Sequence, residues 1–206
     1  MGNADRYLID YLFPLLSLIM EQIILASQSP RRKQLLEWAE IPFTIKVKST
    51  DEHYPFGLTP EEVAVYIARN KALAIRSEVQ PQSIILAADT IVVLGESIIG
   101  KPVHREEAVS ILLALSGQKH KVITGVVLLK GETEIAFADS TEVEFHELTL
   151  EQIEFYVDKY KPYDKAGAYA IQEWIGVVGI KSVIGDFYNV MGLPVSKVVQ
   201  QLNMLM

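Results

Sequence analysis

The sequence predicts an α/β fold built on a mixed β-sheet. In the first half of the chain, short apolar runs alternate with helix-like runs, which is typical of strands joined by helices. In the second half, two long strand-like runs are separated only by a short turn at Gly131, which indicates antiparallel pairing. The chain has 206 residues and half of them are hydrophobic, so it can form one sizeable core or two small lobes around a cleft.

The first unit of this fold is a strand, a turn and a helix. Residues 23–26 form an apolar run that we interpret as a buried strand. Ser29 and Pro30 then predict a helix start, because serine caps the first free amides and proline is tolerated at the first helical position.

Arg31 and Arg32 stand in the first turn of this helix, where the helix dipole disfavours cations unless an anion lies nearby. Two interpretations stay open. In one, the arginine forks and the neighbouring serine hydroxyls form a cradle for polyphosphate. In the other, the first turn is solvated and its arginines pair with nearby carboxylates.

The rest of the chain supplies further strands and helices. Residues 43–48 alternate as a half-exposed strand does, and residues 49–58 predict a polar loop. Residues 59–78 give the strongest helix pattern, with Thr59 as the cap and Pro60 at the first position. Later in the chain we predict two strands within 83–100, a helix over 105–117, strands over 120–131 and 133–148, a helix over 149–160 and helical spacing over 194–205.

Composition excludes several classes of function. The formal charge is -7, from 19 basic and 26 acidic residues, which argues against a protein that coats DNA or RNA. There is no cysteine, hence no disulfide, thiolate zinc site or cysteine nucleophile, and the four histidines show no metal-ligand spacing. The sequence also lacks a Walker loop, a dinucleotide-binding glycine pattern and a glycine-flanked serine elbow. We expect a cytoplasmic protein.

The N-terminal residues have a different character. Residues 7–20 are apolar, but they are shorter than the ~20 residues that a bilayer requires, and a charge and a proline interrupt them. They also lack the basic region and cleavage site of a secretory signal. We expect residues 1–19 to be an extension outside the fold, with Met20 as a possible alternative start, and residues 20–206 to form a single domain that does not bind membranes. A membrane-associated binding module that uses residues 7–20 is the alternative.

Two acidic positions are candidates for chemistry. Asp89 lies in an otherwise apolar run, where a carboxylate is costly to bury unless it binds a metal, pairs with a cation or acts as a base. Thr90 places a hydroxyl next to it. Asp51 and Glu52 lie on a polar loop, for which a solvated surface is the simpler interpretation.

Three lysines are candidates for binding a triphosphate together with the arginine pair, if the fold brings them close. Lys101 follows a strand in the rigid turn Gly-Lys-Pro, and Lys165 stands between an acidic residue and small residues. Lys71 lies on the strongest helix. Each of them taken alone is an ordinary surface lysine.

Six motifs occur in this order between Ile23 and Leu202: LASQSPRRKQLL, AADTIVV, GKP, LSGQKHKVITGV, DKAGAYAIQ and FYNVMGLPV. Together they resemble the Maf family, also called septum-formation-inhibitor-like proteins. The resemblance implies a nucleoside triphosphate pyrophosphatase that splits a nucleotide between its α and β phosphates with the help of Mg²⁺ or Mn²⁺. It also implies an elongated mixed β-sheet flanked by helices, with two lobes around a cleft, similar to the inosine triphosphate pyrophosphatases, and a homodimer.

The resemblance implies a role for each of nine residues. Glu52 and Asp89 would bind the metal and activate water, with Asp89 as the general base. Lys71 and Lys101 would neutralise phosphate charge during catalysis. The remaining residues would bind the substrate, three at its phosphates and two in the pocket beyond them: Ser27, Arg31, Arg32, Thr90 and Gln172.

The motif DKAGAYAIQ resembles the branch of the family that acts on dTTP and UTP. Gln172 can both donate to and accept from the edge of a pyrimidine. Glu173 and Trp174 follow it where the family pattern has a glycine, which leaves the shape of the pocket open. The alternatives are a 7-methyl-GTP pyrophosphatase of the same family and a nucleotide-binding regulator of cell division without turnover.

Overall fold

A mixed seven-stranded β-sheet organises residues 22–205, the part of the chain that the computed structural model describes. The predicted extension at residues 1–19 lies outside the described residues. The strands are β1 (Ile23–Leu25), β2 (Phe43–Ile45), β3 (Ile84–Leu94), β4 (Ser97–Ile99), β5 (Lys119–Lys130), β6 (Thr133–Phe145) and β7 (Ile180–Ile184).

Seven α-helices and a short 3₁₀ turn (Ala166–Ala168) connect these strands within residues 22–205. They are α1 (Pro30–Trp38), α2 (Pro60–Arg76), α3 (Arg105–Leu115), α4 (Leu150–Tyr160), α5 (Trp174–Gly179), α6 (Phe187–Met191) and α7 (Val195–Leu205). Ser29 caps α1 as predicted, and Thr59 and Glu62 form a capping box at the start of α2. None of the helices within this range is long and apolar enough to cross a bilayer.

The order of strands across the sheet is β2-β1-β3-β5-β6-β7, and β4 pairs with β3. β1 is parallel to both β2 and β3, whereas the pairs from β3 to β7 are antiparallel. The mixed sheet flanked by helices that the sequence predicts is therefore confirmed. β2 is shorter than predicted, because its pairing partner β1 is itself only three residues long.

One edge of β3 is partly uncovered. β5 pairs with β3 continuously from Ile84 to Val93, so the other strands must lie on the opposite edge. On that edge β1 pairs with residues 84–86 and β4 with residues 92–94. Among the described strands, none pairs with residues 87–91 on that edge, so no strand covers the middle of β3 there.

The two faces of the sheet are packed differently. Among the helices of residues 22–205, α2 covers one face, where Ala68 and Ala72 pack against the odd-numbered residues Ile85 and Ala87 of β3. The even-numbered residues of β3 face a larger core built with α1, α3, α4 and α7. Since side chains alternate along a strand, neighbouring residues in the uncovered part of β3 project toward different faces.

Candidate active site

A cleft of about 570 Å³ lies at the uncovered edge of β3. Six basic and three acidic side chains line it, which gives a local formal charge of +3 in a chain of charge -7. Eight of the nine residues that the family resemblance singles out are among its lining residues: Ser27, Arg31, Arg32, Glu52, Lys71, Asp89, Thr90 and Lys101.

One side of the cleft, here called the lysine wall, consists of Glu52, Lys71, Asp89 and Lys101. The Lys71 ammonium donates to Asp89 Oδ1 at 2.6 Å and to Glu52 Oε1 at 2.9 Å. The Lys101 ammonium lies 3.3 Å from Glu52 Oε2. Two carboxylates therefore converge on one lysine, and a second lysine approaches from the far side of Glu52.

The position of Lys71 depends on a close contact between α2 and the sheet. A Cβ atom at Gly125 of β5 would lie 2.2 Å from the backbone of Ala64, so only glycine allows the helix to pack this closely. Gly125 pairs directly with Asp89 in the sheet. The same contact thus sets the distance between the helix that carries Lys71 and the strand that carries Asp89.

Glu52 remains ionised although it is partly buried. Burial would raise the pKa of Glu52, but the hydrogen bond from Lys71 and the charges of Lys71 and Lys101 outweigh burial and lower it. The lysine wall therefore presents a full carboxylate next to the buried one of Asp89.

The lysine wall fits a divalent cation of the magnesium type. Residues 22–205 contain no cluster of three or more acidic or histidine side chains that could hold a metal by themselves. Mg²⁺, however, is commonly bound by one or two carboxylates together with substrate phosphates. Glu52 and Asp89 provide two such carboxylates, and both already face a positive charge on Lys71.

The other side of the cleft, here called the arginine wall, is built around Arg32. Arg32 is 8% exposed, and its guanidinium donates hydrogen bonds to three neutral oxygens. These are Gly192 O at 2.8 Å, Thr90 Oγ1 at 2.9 Å and Ser27 Oγ at 3.0 Å. Burial lowers the pKa of Arg32, the charge of Asp89 partly offsets this and the charge of Arg31 lowers it further. A buried cation without a carboxylate in contact favours an anionic ligand.

Helix α6 and strand β5 support the arginine wall from behind. Thr90 Oγ1 lies 2.9 Å from Thr124 Oγ1, which donates to Asn189 O at 3.1 Å. The Asn189 amide in turn donates to Val122 O at 3.0 Å. Gly192 ends α6 with φ +120°, and this turn directs its carbonyl to Arg32.

Sequence reasoning did not identify these supporting residues. Thr124 and Asn189 lie within two of the motifs that carry the family resemblance, but an uncharged side chain in an apolar run gives no separate signal of function. Asp164, which lines the cleft, was also missed, although it precedes the candidate Lys165 directly.

Arg31 differs from its neighbour Arg32. Its side chain is 20% exposed, and Nη1 lies 3.3 Å from Asp164 Oδ2. Arg31 thus pairs with a carboxylate, as one of the two sequence interpretations expects, and it also lines the cleft, as the other expects.

Gln172 is placed apart from the other eight residues. Its side chain is exposed, and it is not among the residues that line the cleft. Ala170 and Tyr169, slightly earlier in the same motif, do line the cleft. A role for Gln172 in the substrate pocket stays a prediction.

Known proteins resemble this chain over most of its length. A dTTP/UTP pyrophosphatase of Bacteroides thetaiotaomicron is 46% identical over 206 residues, which is 100% of both chains. A dTTP/UTP pyrophosphatase of Cytophaga hutchinsonii is 53% identical over 87% of this chain and 82% of its own. Among solved structures, the Ham1 protein of Staphylococcus aureus matches 62% of this chain and 73% of its own, with 13% identity and a TM-score of 0.44.

The family described as Maf, Maf-like protein, matches residues 22–205, which are also the residues that carry the sheet and the cleft. That match covers well over half of the chain and agrees with the order of the six sequence motifs. The chain belongs to the Maf family.

Proposed function

We propose that this protein is a pyrophosphatase that hydrolyses dTTP and UTP to the nucleoside monophosphate and pyrophosphate. The observation that carries the proposal is that paired carboxylates and lysines line the same cleft as a buried arginine. The relatives named dTTP/UTP pyrophosphatase, at 46% and 53% identity, support the choice of substrate.

Charge is the first reason for assigning a phosphorylated substrate. A nucleoside triphosphate carries several negative charges, and the cleft has a formal charge of +3 in an acidic chain. Cations next to the substrate stabilise the charge that develops on the leaving phosphate oxygens. Of the six basic residues that line the cleft, Lys48 and Lys101 have the most exposed side chains, and Arg31 and Lys71 are about one fifth exposed.

Asp89 is our candidate for the general base. Its carboxylate is buried at the uncovered edge of β3, within the cleft, and Lys71 fixes one of its oxygens. The second oxygen can accept a proton from a water that attacks the α-phosphorus, while pyrophosphate leaves. The buried position limits competing solvent and holds the carboxylate in one orientation.

A divalent cation, Mg²⁺ or Mn²⁺, would be held by Glu52 and Asp89 and would neutralise charge on the phosphate oxygens. Lys71, which now bridges the two carboxylates, would then turn toward a phosphate oxygen.

Pyrophosphate release from a panel of dTTP, UTP, dGTP and 7-methyl-GTP, with Mg²⁺ or Mn²⁺, tests the proposal. We expect turnover of dTTP and UTP that requires one of the metals. Turnover confined to 7-methyl-GTP would keep the enzyme class but contradict the substrate. Nucleotide binding without any pyrophosphate release would support the regulator of cell division instead.

A further inference from the structure

A row of alternating charges runs from the buried side of α4 to Arg31 at the cleft. The Tyr156 hydroxyl donates to Glu173, whose other oxygen lies 3.7 Å from Lys165 Nζ. Lys165 Nζ donates to Asp164 Oδ1 at 2.7 Å, and Asp164 Oδ2 lies 3.3 Å from Arg31 Nη1. The row is therefore neutral overall, with two cations and two anions in alternation.

The buried end of this row, Tyr156 and Glu173, is held by hydrogen bonds. Tyr156 is fully buried, and its hydroxyl also accepts from the backbone of Ala170 at 3.1 Å. Burial, together with the nearby Glu173 carboxylate, raises the pKa of Tyr156, so its hydroxyl keeps its proton and remains a donor. Glu173 is thus fixed by a neutral, immobile partner.

Lys165 lies between Glu173 and Asp164 and fixes the Asp164 carboxylate with a hydrogen bond. The Lys165 side chain is only 9% exposed, which is unusual for a lysine unless it is paired. Burial would raise the pKa of Asp164, but the hydrogen bond from Lys165 and the charges of Lys165 and Arg31 outweigh it and lower that pKa. Asp164 is consequently ionised and oriented.

The loop that carries Asp164 and Lys165 is also held by its backbone. Gly167 has φ +69°, and a Cβ atom there would lie 2.8 Å from the Val92 side chain, so the loop packs directly on β3. The Gly167 amide donates to Gly100 O at 3.2 Å. The loop therefore has a fixed position relative to the cleft.

Arg31 is the member of the row whose N–H donors are mostly not engaged by other described residues. Among the described residues, it makes a single side-chain hydrogen bond, through one of its five N–H donors. Arg32, in contrast, uses its guanidinium on three protein oxygens. Asp164 thus orients Arg31 while leaving most of its fork available for a ligand.

We propose that Asp164 is a positioning residue that holds Arg31 over the cleft for the substrate phosphates, with Lys165 and Glu173 fixing Asp164 from behind. This inference rests on the proposed function, because it assigns a purpose to Arg31 in nucleotide binding. An arginine that is held in place loses less conformational freedom on binding, so affinity rises. The opposite arrangement, in which Asp164 competes with phosphate for Arg31, would lower affinity.

A double-mutant cycle distinguishes these arrangements. The probe is the α,β-imido analogue of dTTP, in which an NH group replaces the bridging oxygen between the α and β phosphates, so that the bond cleaved in hydrolysis is absent. Calorimetry gives the Kd of this analogue for the wild type, Asp164→Asn, Arg31→Ala and the double variant. We expect Asp164→Asn to weaken binding about two- to fivefold, since the Asp164 side chain is 57% exposed and such pairs are screened by solvent. In the Arg31→Ala background, Asp164→Asn should have no further effect.

Two controls separate positioning from a structural role. Asp164→Glu keeps the charge and should restore part of the affinity. Asp158→Asn removes an exposed carboxylate that pairs with Arg105 away from the cleft, and it should leave Kd unchanged.

Tighter binding by Asp164→Asn would overturn the proposal in favour of competition. An equal loss in both backgrounds would overturn it as well, because Asp164 would then act independently of Arg31. A wild type that binds the analogue but releases no pyrophosphate from dTTP would refute the proposed function alone, since the binding cycle is evaluated separately.

Discussion

The two walls of the cleft use opposite ways of holding charge. On the lysine wall, every charge has an opposite charge within hydrogen-bonding distance, and Glu52 and Lys101 are about half exposed. On the arginine wall, Arg32 is buried, and its hydrogen-bond acceptors among the described residues are all neutral oxygens. The side chains of the lysine wall can reorient around a metal or a water. Arg32, in contrast, is a fixed cation whose charge is not neutralised by a contacting carboxylate among the described residues, so it favours an anion nearby.

A single strand produces this difference. Asp89 and Thr90 are consecutive residues of β3, and alternation sends them toward different faces of the sheet. Asp89 meets Lys71 on the side of α2, and Thr90 meets Arg32 on the side of the larger core. Because neighbouring strands leave the edge uncovered between them, both side chains reach the same cleft.

The largest effect should come from Asp89→Asn. The amide keeps the size of the side chain but cannot take a proton from water, so we expect kcat for dTTP to fall about 10²- to 10⁴-fold. Pyrophosphate release measures the change, and circular dichroism checks that the variant remains folded.

Asp139→Asn is the matched control, because Asp139 is also a carboxylate on the same sheet that pairs with a lysine, Lys197. Asp139 is not among the residues that line the cleft. Its replacement should leave kcat nearly unchanged. Similar losses in kcat for both variants would show that Asp89 acts through stability rather than as a base.

Sequence reasoning predicted the mixed sheet and the caps of α1 and α2, because strand patterns and capping residues are local signals. It did not predict helix α6, since five residues are too few for helical periodicity. The motifs directed attention to eight residues that the fold brings to one cleft.

The partition of those residues into two walls was not predictable. It depends on which strands cover the edge of β3 and on the contact between α2 and Gly125, and both are long-range properties of the fold. The role of Gly192 could not be predicted either, because it accepts from Arg32 through its backbone carbonyl, which every residue type has.

The buried side chain of His120, next to the cleft, should make folding stability depend on pH. His120 lies on the same face of β5 as Thr124, and its Nε2 atom is 2.8 Å from the hydroxyl of Tyr169, which lines the cleft. Burial lowers the pKa of His120 from 6.5 to about 4. Between these two values the unfolded chain binds a proton that the folded protein does not. Folding stability should therefore be complete above about pH 6.5 and fall by about 3 kcal/mol toward pH 4.

Urea unfolding of the wild type and His120→Gln at pH 7.5, 6 and 5 measures this effect. Glutamine does not titrate, so the stability advantage of the wild type should shrink as the pH falls. Parallel curves for the two proteins would assign the acid sensitivity to carboxylates elsewhere.

Arg32→Lys and Arg31→Lys test the contrast between the neighbouring arginines directly. An ammonium cannot reach the three oxygens around the planar fork of Arg32, so buried acceptors lose their donor and stability should fall by about 1–3 kcal/mol. Arg31→Lys loses one long hydrogen bond at a partly exposed position and should change stability by less than about 0.5 kcal/mol. Equal losses of unfolding free energy in urea would remove the distinction between a fixed and an available arginine.

The smallest expected effect is that of Gln172→Ala, since Gln172 belongs to neither wall. We expect the ratio of dTTP to dGTP turnover to fall only about twofold, in line with the loss of one exposed hydrogen bond to the base. Gln200→Ala, which removes an exposed glutamine on α7, is the control and should leave the ratio unchanged. An unchanged ratio for Gln172→Ala would place pyrimidine selection among residues that line the cleft beside the arginine wall, such as Tyr169 and Met191, instead of on the exposed glutamine.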